Sequence, residues 1–105
     1  MLFMVIETFA NNDMIPAYQK IKDEGRVLPE GLTYHGSWIA ADFSRCFQVM
    51  ECDDIALIQD WVLYWRDAGV TFEIVSASAS QDVQALVASH LSGLGKRSLP
   101  PFLQR

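Results

Sequence analysis

The side chains best suited to acid–base chemistry lie within segments that are otherwise apolar. Glu7 interrupts the apolar run 1–9, and three more lie in later segments of alternating hydrophobicity: His35, Gln48 and Glu73. Imidazole and carboxylate groups are the side chains most often used for proton transfer, and an amide can orient either of them. We therefore expect His35 and Glu73 to be the candidate catalytic residues, if the fold brings them into one pocket. The structural alternative is that His35 is half exposed at a subunit interface and that Glu73 only solvates a sheet edge.

The two cysteines give no strong sign of a reactive thiol or of a metal site. Cys46 and Cys52 lie on one predicted strand, about 20 Å apart by the rise of a strand, which is too far for a disulfide within it. A nucleophilic thiol needs a cation or a helix terminus beside it, and only Arg45 suggests one. Small buried side chains are therefore the simpler interpretation. No close pair of metal ligands occurs, and we predict neither a metal nor a cofactor.

These residues lie in a chain whose hydrophobic periodicity predicts four strands and three helices. Short β-branched, aromatic or alternating runs predict strands over 2–9, 32–40, 45–52 and 70–75. Repeats at helical spacing predict one helix that ends at Gly25, a second that ends at Gly69 and a third that ends near Gly93. The first six elements have the order of the ferredoxin-like βαββαβ fold, an α+β class with both helices on one face of a four-stranded antiparallel sheet.

The length of the chain, 105 residues, favours a single domain that buries roughly two thirds of its surface. We assign residues 1–76 to the ferredoxin-like core and residues 77–105 to a C-terminal helix and arm of the same domain. Pro100 and Pro101 make the end of this arm extended. Whether the helix and arm pack on their own subunit or on a partner stays open at this stage.

The charge balance excludes several classes of partner. Eight basic and 13 acidic residues give a net charge of −5, which repels phosphate backbones and anionic lipids. Nucleic acid is therefore not an expected partner. No apolar run approaches the roughly 20 residues of a membrane span, and Glu7 together with the missing basic segment argues against a signal peptide. We expect a cytoplasmic protein with no membrane association.

Strand alternation divides the side chains between the two faces of the predicted sheet. The aromatic set suits the face beneath the helices: Tyr34, Trp38, Phe47, Val49, Phe72 and Ile74. The other face would then be mixed: His35, Ser37, Ile39, Cys46, Gln48, Met50, Glu73 and Val75. Because uncovered apolar side chains are unfavourable in water, we expect a second copy to cover this face and form a homodimer. A one-residue change of register would exchange the two sets.

A cavity between the two sheets of such a dimer would be the natural binding site. The candidate ligand-binding residues are the members of this face that could line it, together with the carboxyl group of strand 1: Ser37, Gln48, Met50 and Glu7. The expected ligand is a small, partly apolar molecule.

Three stretches of the sequence, MLFMVIETF, GRVLPEGLTYHGSW and RCFQVMECDDIALIQDW, closely resemble a small bacterial family of unknown function that is placed with the dimeric α+β barrels. The resemblance covers about residues 1–75, and its densest motif consists of Arg26, Pro29, Glu30, Gly31, Leu32, Tyr34, Ser37 and Trp38. It implies the fold and the dimer, but no reaction. Neighbouring families on that fold include cofactor-independent quinone-forming monooxygenases and small isomerases, which bind flat apolar substrates in the barrel.

Two functions of different classes follow as hypotheses. The first is a homodimer that binds a small molecule between its sheet faces, with cofactor-free catalysis as an extension. The second is a structural or protein-interaction module with a filled interface, in which the C-terminal arm binds a partner. A cavity of about a few hundred Å³, the volume of typical ligand pockets, lined by His35, Gln48 and Glu73 would favour the first hypothesis, and a solid interface would favour the second.

Overall fold

The regular elements follow one another in the predicted order. The structure, a computed structural model, describes residues 1–91. It contains β1 (Leu2–Phe9), α1 (Ile15–Glu24), β2 (Thr33–Ile39), β3 (Arg45–Glu51), α2 (Ile55–Trp65), β4 (Val70–Ala77) and α3 (Ser80–His90). Short 3-10 turns at Ala10–Asn12 and Arg66–Ala68 precede α1 and β4. The predicted end of the third helix near Gly93 and the proline-containing arm lie outside the described residues.

The four strands form one sheet in the order β2-β3-β1-β4, and every neighbouring pair is antiparallel. β1 lies in the interior of the sheet, where Val5 pairs with Gln48 of β3 on one side and with Ile74 of β4 on the other. The predicted α+β class with the ferredoxin-like order of elements is confirmed.

Local chemistry explains where the first two helices begin and end. The Oδ1 atom of Asp54 accepts a hydrogen bond from the backbone N–H of Ala56 at 2.9 Å, which caps α2. Pro16 lies in the first turn of α1, where its missing N–H costs nothing. Gly25 and Gly69 follow the two helical segments with φ of 74°, the conformation that glycine adopts without strain.

The main core lies between the sheet and α2. Phe3 and Met50 contribute from the strands, and Ile58, Trp61 and Trp65 contribute from the buried side of α2. Full burial of one such large side chain stabilises the fold by about 1.5–3 kcal/mol. Both tryptophans of α2 therefore belong to the core.

The predicted division of side chains between the sheet faces was wrong for most of the β2–β3 hairpin. Tyr34, Phe72 and Ile74 do pack against the core as expected. On the other hand, Trp38, Phe47 and Val49 lie on the open face, and five residues expected there lie beneath the helices: Ser37, Ile39, Cys46, Gln48 and Met50.

The physical reason is a β-bulge and the pairing of β3 with β1. The register of β2 shifts between Tyr34 and Gly36, so that Tyr34 shares a face with Ser37 and not with Trp38. In β3, Met50 pairs with the fully buried Phe3, which places every second side chain of β3 beneath the helices. Strand pairing, and not the hydrophobicity of the individual side chains, therefore determines which face of the sheet each hairpin residue occupies.

The third helix, α3, differs from the other two because none of its residues is buried. Val83 and Leu86 are exposed at 43% and 62%. α3 begins after Ala79 without a side-chain cap. Within residues 1–91, no helix has the length and apolar character needed to cross a bilayer.

Candidate functional site

A pocket of about 80 Å³ lies inside the domain, between the sheet and helices α1 and α2. Its walls are mainly apolar, with Trp61 and Trp65 of α2 among them, and its polar groups come largely from the strands. The volume is enough for several water molecules or for the buried part of a small organic ligand, since a cavity that encloses benzene has about 150 Å³. This pocket is formed within one chain. The cavity predicted from the sequence was a different one, between the sheets of two subunits.

All four candidate ligand-binding residues line this pocket: Glu7, Ser37, Gln48 and Met50. Glu7 comes from β1, Ser37 from β2, and Gln48 and Met50 from β3. Because these three strands are neighbours in the order β2-β3-β1, the side chains meet on one face. Ser37, Gln48 and Met50 lie beneath the helices, whereas strand alternation predicted them on the open face of the sheet.

Two of the polar side chains that line the pocket, Gln48 and Glu7, form a hydrogen bond with each other. The Nε2 atom of Gln48 donates to Oε1 of Glu7. Gln48 is only 3% exposed, and its Oε1 atom has no hydrogen-bond partner among the described residues. Buried amide oxygens nearly always accept a hydrogen bond, so this atom requires a donor from the pocket.

Burial also changes the acidity of Glu7. Desolvation raises the pKa of its carboxyl group from 4.5 to about 7, and the positive charge of Arg26 opposes this rise without cancelling it. At neutral pH, both the protonated and the ionised form of Glu7 are therefore populated. A carboxyl group with this property can donate or accept a proton under physiological conditions.

Arg26 enters the pocket from the connection between α1 and β2, and its main chain is firmly held. Its carbonyl oxygen accepts hydrogen bonds from the indole Nε1 atoms of Trp61, at 3.3 Å, and Trp65, at 3.1 Å. The guanidinium carbon lies 4.0 Å from the centre of the Tyr34 ring. The next residue, Val27, has φ of 50°, a strained conformation for a β-branched side chain. Strain of this kind is often found at functional sites.

The hydroxyl group of Ser37 and the thiol of Cys46 also line the polar side of the pocket. The hydroxyl groups of Tyr34 and Ser37 form a hydrogen bond, which the bulge in β2 makes possible. Burial and the neighbouring Glu7 raise the pKa of the Cys46 thiol to about 11, so this thiol is protonated and weakly nucleophilic near neutral pH. Cys46 and Cys52 are both buried and free, as expected for small core side chains.

The candidate catalytic residues His35 and Glu73 lie outside the pocket, on the open face of the sheet. The Nε2 atom of His35 lies 2.8 Å from Oε1 of Glu51, and both side chains are exposed. Glu73 is exposed on β4. β2 and β4 are the two edge strands, about 14 Å apart across the sheet. Gln48 lies on the opposite face of the sheet, so the expected grouping of Gln48 with His35 and Glu73 was wrong, whereas a cavity between two sheets that contains His35 and Glu73 stays a prediction.

Arg26 and Tyr18 line the pocket, and Tyr34 stacks beneath Arg26. None of these three residues was a functional candidate from the sequence. Arg26 and Tyr34 belong to the densest motif of the resemblance, which was the available signal. Tyr18 lies in the apolar pattern of α1 and carried no signal of its own. Within residues 1–91, no three His, Cys, Asp or Glu side chains come together as a metal site would need.

The fold and the pocket define a class of protein: an α+β domain of ferredoxin-like order with a small polar and aromatic pocket beneath its helices. Residues 1–91 match the model of a domain of unknown function, DUF3303, and the chain therefore belongs to that family. The predicted membership in a family of unknown function is confirmed.

Comparison with solved structures identifies a protein from Agrobacterium tumefaciens whose crystal structure was determined by a structural genomics consortium. The two chains are 17% identical, the match covers 76% of this chain and 96% of that chain, and the TM-score is 0.45. No curated protein matches the sequence.

Proposed function

We propose that the pocket binds a small, partly apolar molecule and that Glu7 exchanges a proton with it without a cofactor. The observation that carries this proposal is the meeting of Glu7, Ser37 and Gln48 in a mainly apolar pocket, where Oε1 of Gln48 has no partner among residues 1–91. Ligand pockets typically combine apolar walls with a few polar groups that fix the orientation of the ligand. Side chains that served only the core would not leave a buried acceptor unpaired.

The chemistry open to such a site is the movement of one proton. Ionised Glu7 accepts a proton from a bound molecule, and the electron pair of the broken bond stays on that molecule. The neutral carboxyl group of Glu7 then returns the proton to another atom of the same molecule. Because no electrons are gained or lost, the net reaction is an isomerisation, for which a carboxyl group with a pKa of about 7 is well suited.

Binding can be tested by reducing the pocket without changing the rest of the sheet. Ser37→Leu places a larger apolar side chain in the pocket, and Thr33→Leu makes a comparable change on the exposed side of the same strand. We expect phenol at millimolar concentration to shift the indole NMR signals of Trp61 and Trp65 in the wild type and in Thr33→Leu. The shifts should be strongly reduced in Ser37→Leu. Equal shifts in all three proteins, or none in the wild type, would contradict the proposal.

We also propose that the open face of the sheet pairs with a second copy of the chain and closes a dimeric α+β barrel. The apolar side chains of this face support the proposal: Leu2, Met4, Ile6, Trp38, Phe47, Val49 and Val75. Trp38 and Val75 are exposed at 60% and 44% in the single chain. Contiguous apolar surface of this kind marks interaction sites.

The open face of the sheet is smaller than a standard interface, so we expect another element to contribute to the dimer contact. Four strands of about seven residues cover roughly 19 by 23 Å, or about 450 Å². Stable interfaces bury about 800 Å² on each partner. The sheet face thus provides about half of a standard interface. α3, whose Val83 and Leu86 are exposed, is the described element available to supply more of it.

Light scattering coupled to size-exclusion chromatography tests the dimer. We expect a mass of about twice 11.8 kDa for the wild type at micromolar concentration. Trp38→Glu should reduce this to a single chain, whereas Leu63→Glu, at an exposed apolar position of α2, should not. A monomeric wild type would contradict the dimer and would favour the alternative function, an interaction module that binds another protein.

A further inference from the structure

The positive charge of Arg26 has no counter-charge in the described part of the chain. Among residues 1–91, the ion pair found is that of His35 and Glu51, far from the pocket. The guanidinium group of Arg26 lies against the Tyr34 ring, and only its backbone carbonyl is engaged by hydrogen bonds from other side chains. A guanidinium group has five N–H donors in a planar fork, which fits two oxygen atoms of one carboxylate.

Glu7 does not serve as this counter-charge. Its Oε1 atom is bonded to Gln48, and it forms no ion pair with Arg26. Burial raises the pKa of Glu7 more than the charge of Arg26 lowers it, as expected for a carboxyl group that is not paired with the guanidinium group. The pocket therefore contains a cation that has no ion-pair partner among residues 1–91, beside a carboxyl group that is readily protonated.

The remaining polar groups restrict the ligand further. Oε1 of Gln48 can only accept a hydrogen bond, so the matching atom of the ligand must carry a hydrogen. The indole rings of Trp61 and Trp65 provide flat apolar surface on the side of α2. A small molecule that meets all of these groups has an anionic end, a flat apolar body and a hydroxyl or N–H group.

We propose that the natural ligand is a small unsaturated or aromatic organic anion whose carboxylate or enolate oxygens bind Arg26, with a hydroxyl or N–H donor that binds Oε1 of Gln48. This inference rests on the proposed function, since it names the class of molecule that the same pocket binds. It also gives Arg26 a role in the proton transfer, because the cation stabilises the negative charge of the bound anion while Glu7 exchanges a proton with it.

Binding of an anion should be coupled to the protonation of Glu7. A ligand carboxylate beside an ionised Glu7 would place two negative charges in a pocket with one cation. The other titratable groups that face the pocket are the phenol of Tyr18 from α1 and the thiol of Cys46 from β3, and burial raises the pKa of both. The phenol of Tyr34 from β2 lies beneath Arg26, and α2 contributes the two indoles, which do not titrate. Anion affinity should therefore fall by up to about tenfold between pH 6 and pH 8.

Matched pairs of probes test this inference. The ¹⁵N-labelled full-length chain is titrated with 4-hydroxybenzoate and 4-hydroxybenzamide, and with 4-hydroxycrotonate and 4-hydroxycrotonamide, at pH 6 and pH 8, so that both members of each pair carry a hydroxyl donor for Oε1 of Gln48. The indole signals of Trp61 and Trp65 report binding in the pocket, and Trp38 on the open face is the internal control. We expect each carboxylate to bind about tenfold more tightly than its amide at pH 6.

Three variants assign this preference to Arg26. Arg26→Gln should remove the preference for carboxylates, whereas Arg66→Gln, at an exposed position after α2, should keep it. Arg26→Lys keeps the charge without the planar fork and should retain part of it. If Arg26→Gln does not fold, the comparison of carboxylate with amide in the wild type still decides.

The outcomes separate this inference from the proposed function. If carboxylates and amides bind equally, or if Arg26→Gln keeps the preference, the anionic ligand is refuted while small-molecule binding stands. If no probe shifts the signals of Trp61 and Trp65, both proposals fail.

Discussion

Replacing Glu7 by glutamine should change how the stability of this protein depends on pH. Burial raises the pKa of Glu7 from 4.5 to about 7 in the folded state. Between these pH values, the folded chain retains a proton that the unfolded chain has released. The stability linked to this proton is complete below pH 4.5 and is lost as the pH rises through about 7.

The size of the effect follows from the same values. At 1.36 kcal/mol for each pH unit, the interval from 4.5 to about 7 corresponds to about 3 kcal/mol. Glutamine has nearly the same shape as the neutral carboxyl group and cannot ionise. The free energy of unfolding of Glu7→Gln should therefore exceed that of the wild type by less than about 1 kcal/mol at pH 5. At pH 8 the variant should be more stable by about 3 kcal/mol.

Urea unfolding followed by tryptophan fluorescence at pH 5, 6, 7 and 8 measures this difference. Glu30→Gln, which removes a carboxyl group from an exposed turn, is the matched control. Titration of other groups is common to all three proteins and cancels in the comparison. Parallel stability curves for Glu7→Gln and the wild type would refute the reasoning, as would an equal effect of Glu30→Gln.

Three further predictions concern the elements that hold the pocket. Asp54→Ala removes the cap of α2 and should cost about 1 kcal/mol in urea unfolding, whereas the neighbouring, exposed Asp53→Ala should cost much less. The thiols of Cys46 and Cys52 should react with a disulfide reagent at pH 7.5 only after unfolding in urea, because both are buried; fast labelling of the folded chain would contradict this. Trp65→Phe removes a hydrogen bond to the backbone of Arg26 and should reduce stability by at least about 1 kcal/mol, and an unchanged urea midpoint would show that the bond contributes nothing.

The sequence predicted which residues form the candidate site better than it predicted where in the fold the site lies. Glu7, Ser37, Gln48 and Met50 were selected from the sequence, and the structure brings them together. The candidates His35 and Glu73 were selected by the chemistry of their side chains, but they lie on opposite edge strands. Side-chain chemistry indicates what a residue can do, whereas strand order determines which residues meet.

The sequence by itself determined the secondary structure, because the signals for it are local. Alternation and β-branching gave the strands, and Asp54, Gly25 and Gly69 set helix boundaries through interactions within a few residues. The order of these elements then restricted the topology to the arrangement observed.

The tertiary structure alone decided which face of the sheet carries the pocket and how acidic its carboxyl group is. The bulge after Tyr34 and the pairing of Phe3 with Met50 move the hairpin side chains to the opposite face from the one expected. Glu7 acquires its raised pKa from burial beneath the helices, and Arg26 reaches the pocket from a distant connection. These properties depend on contacts between residues that are far apart in the chain, and local sequence patterns contain no information about such contacts.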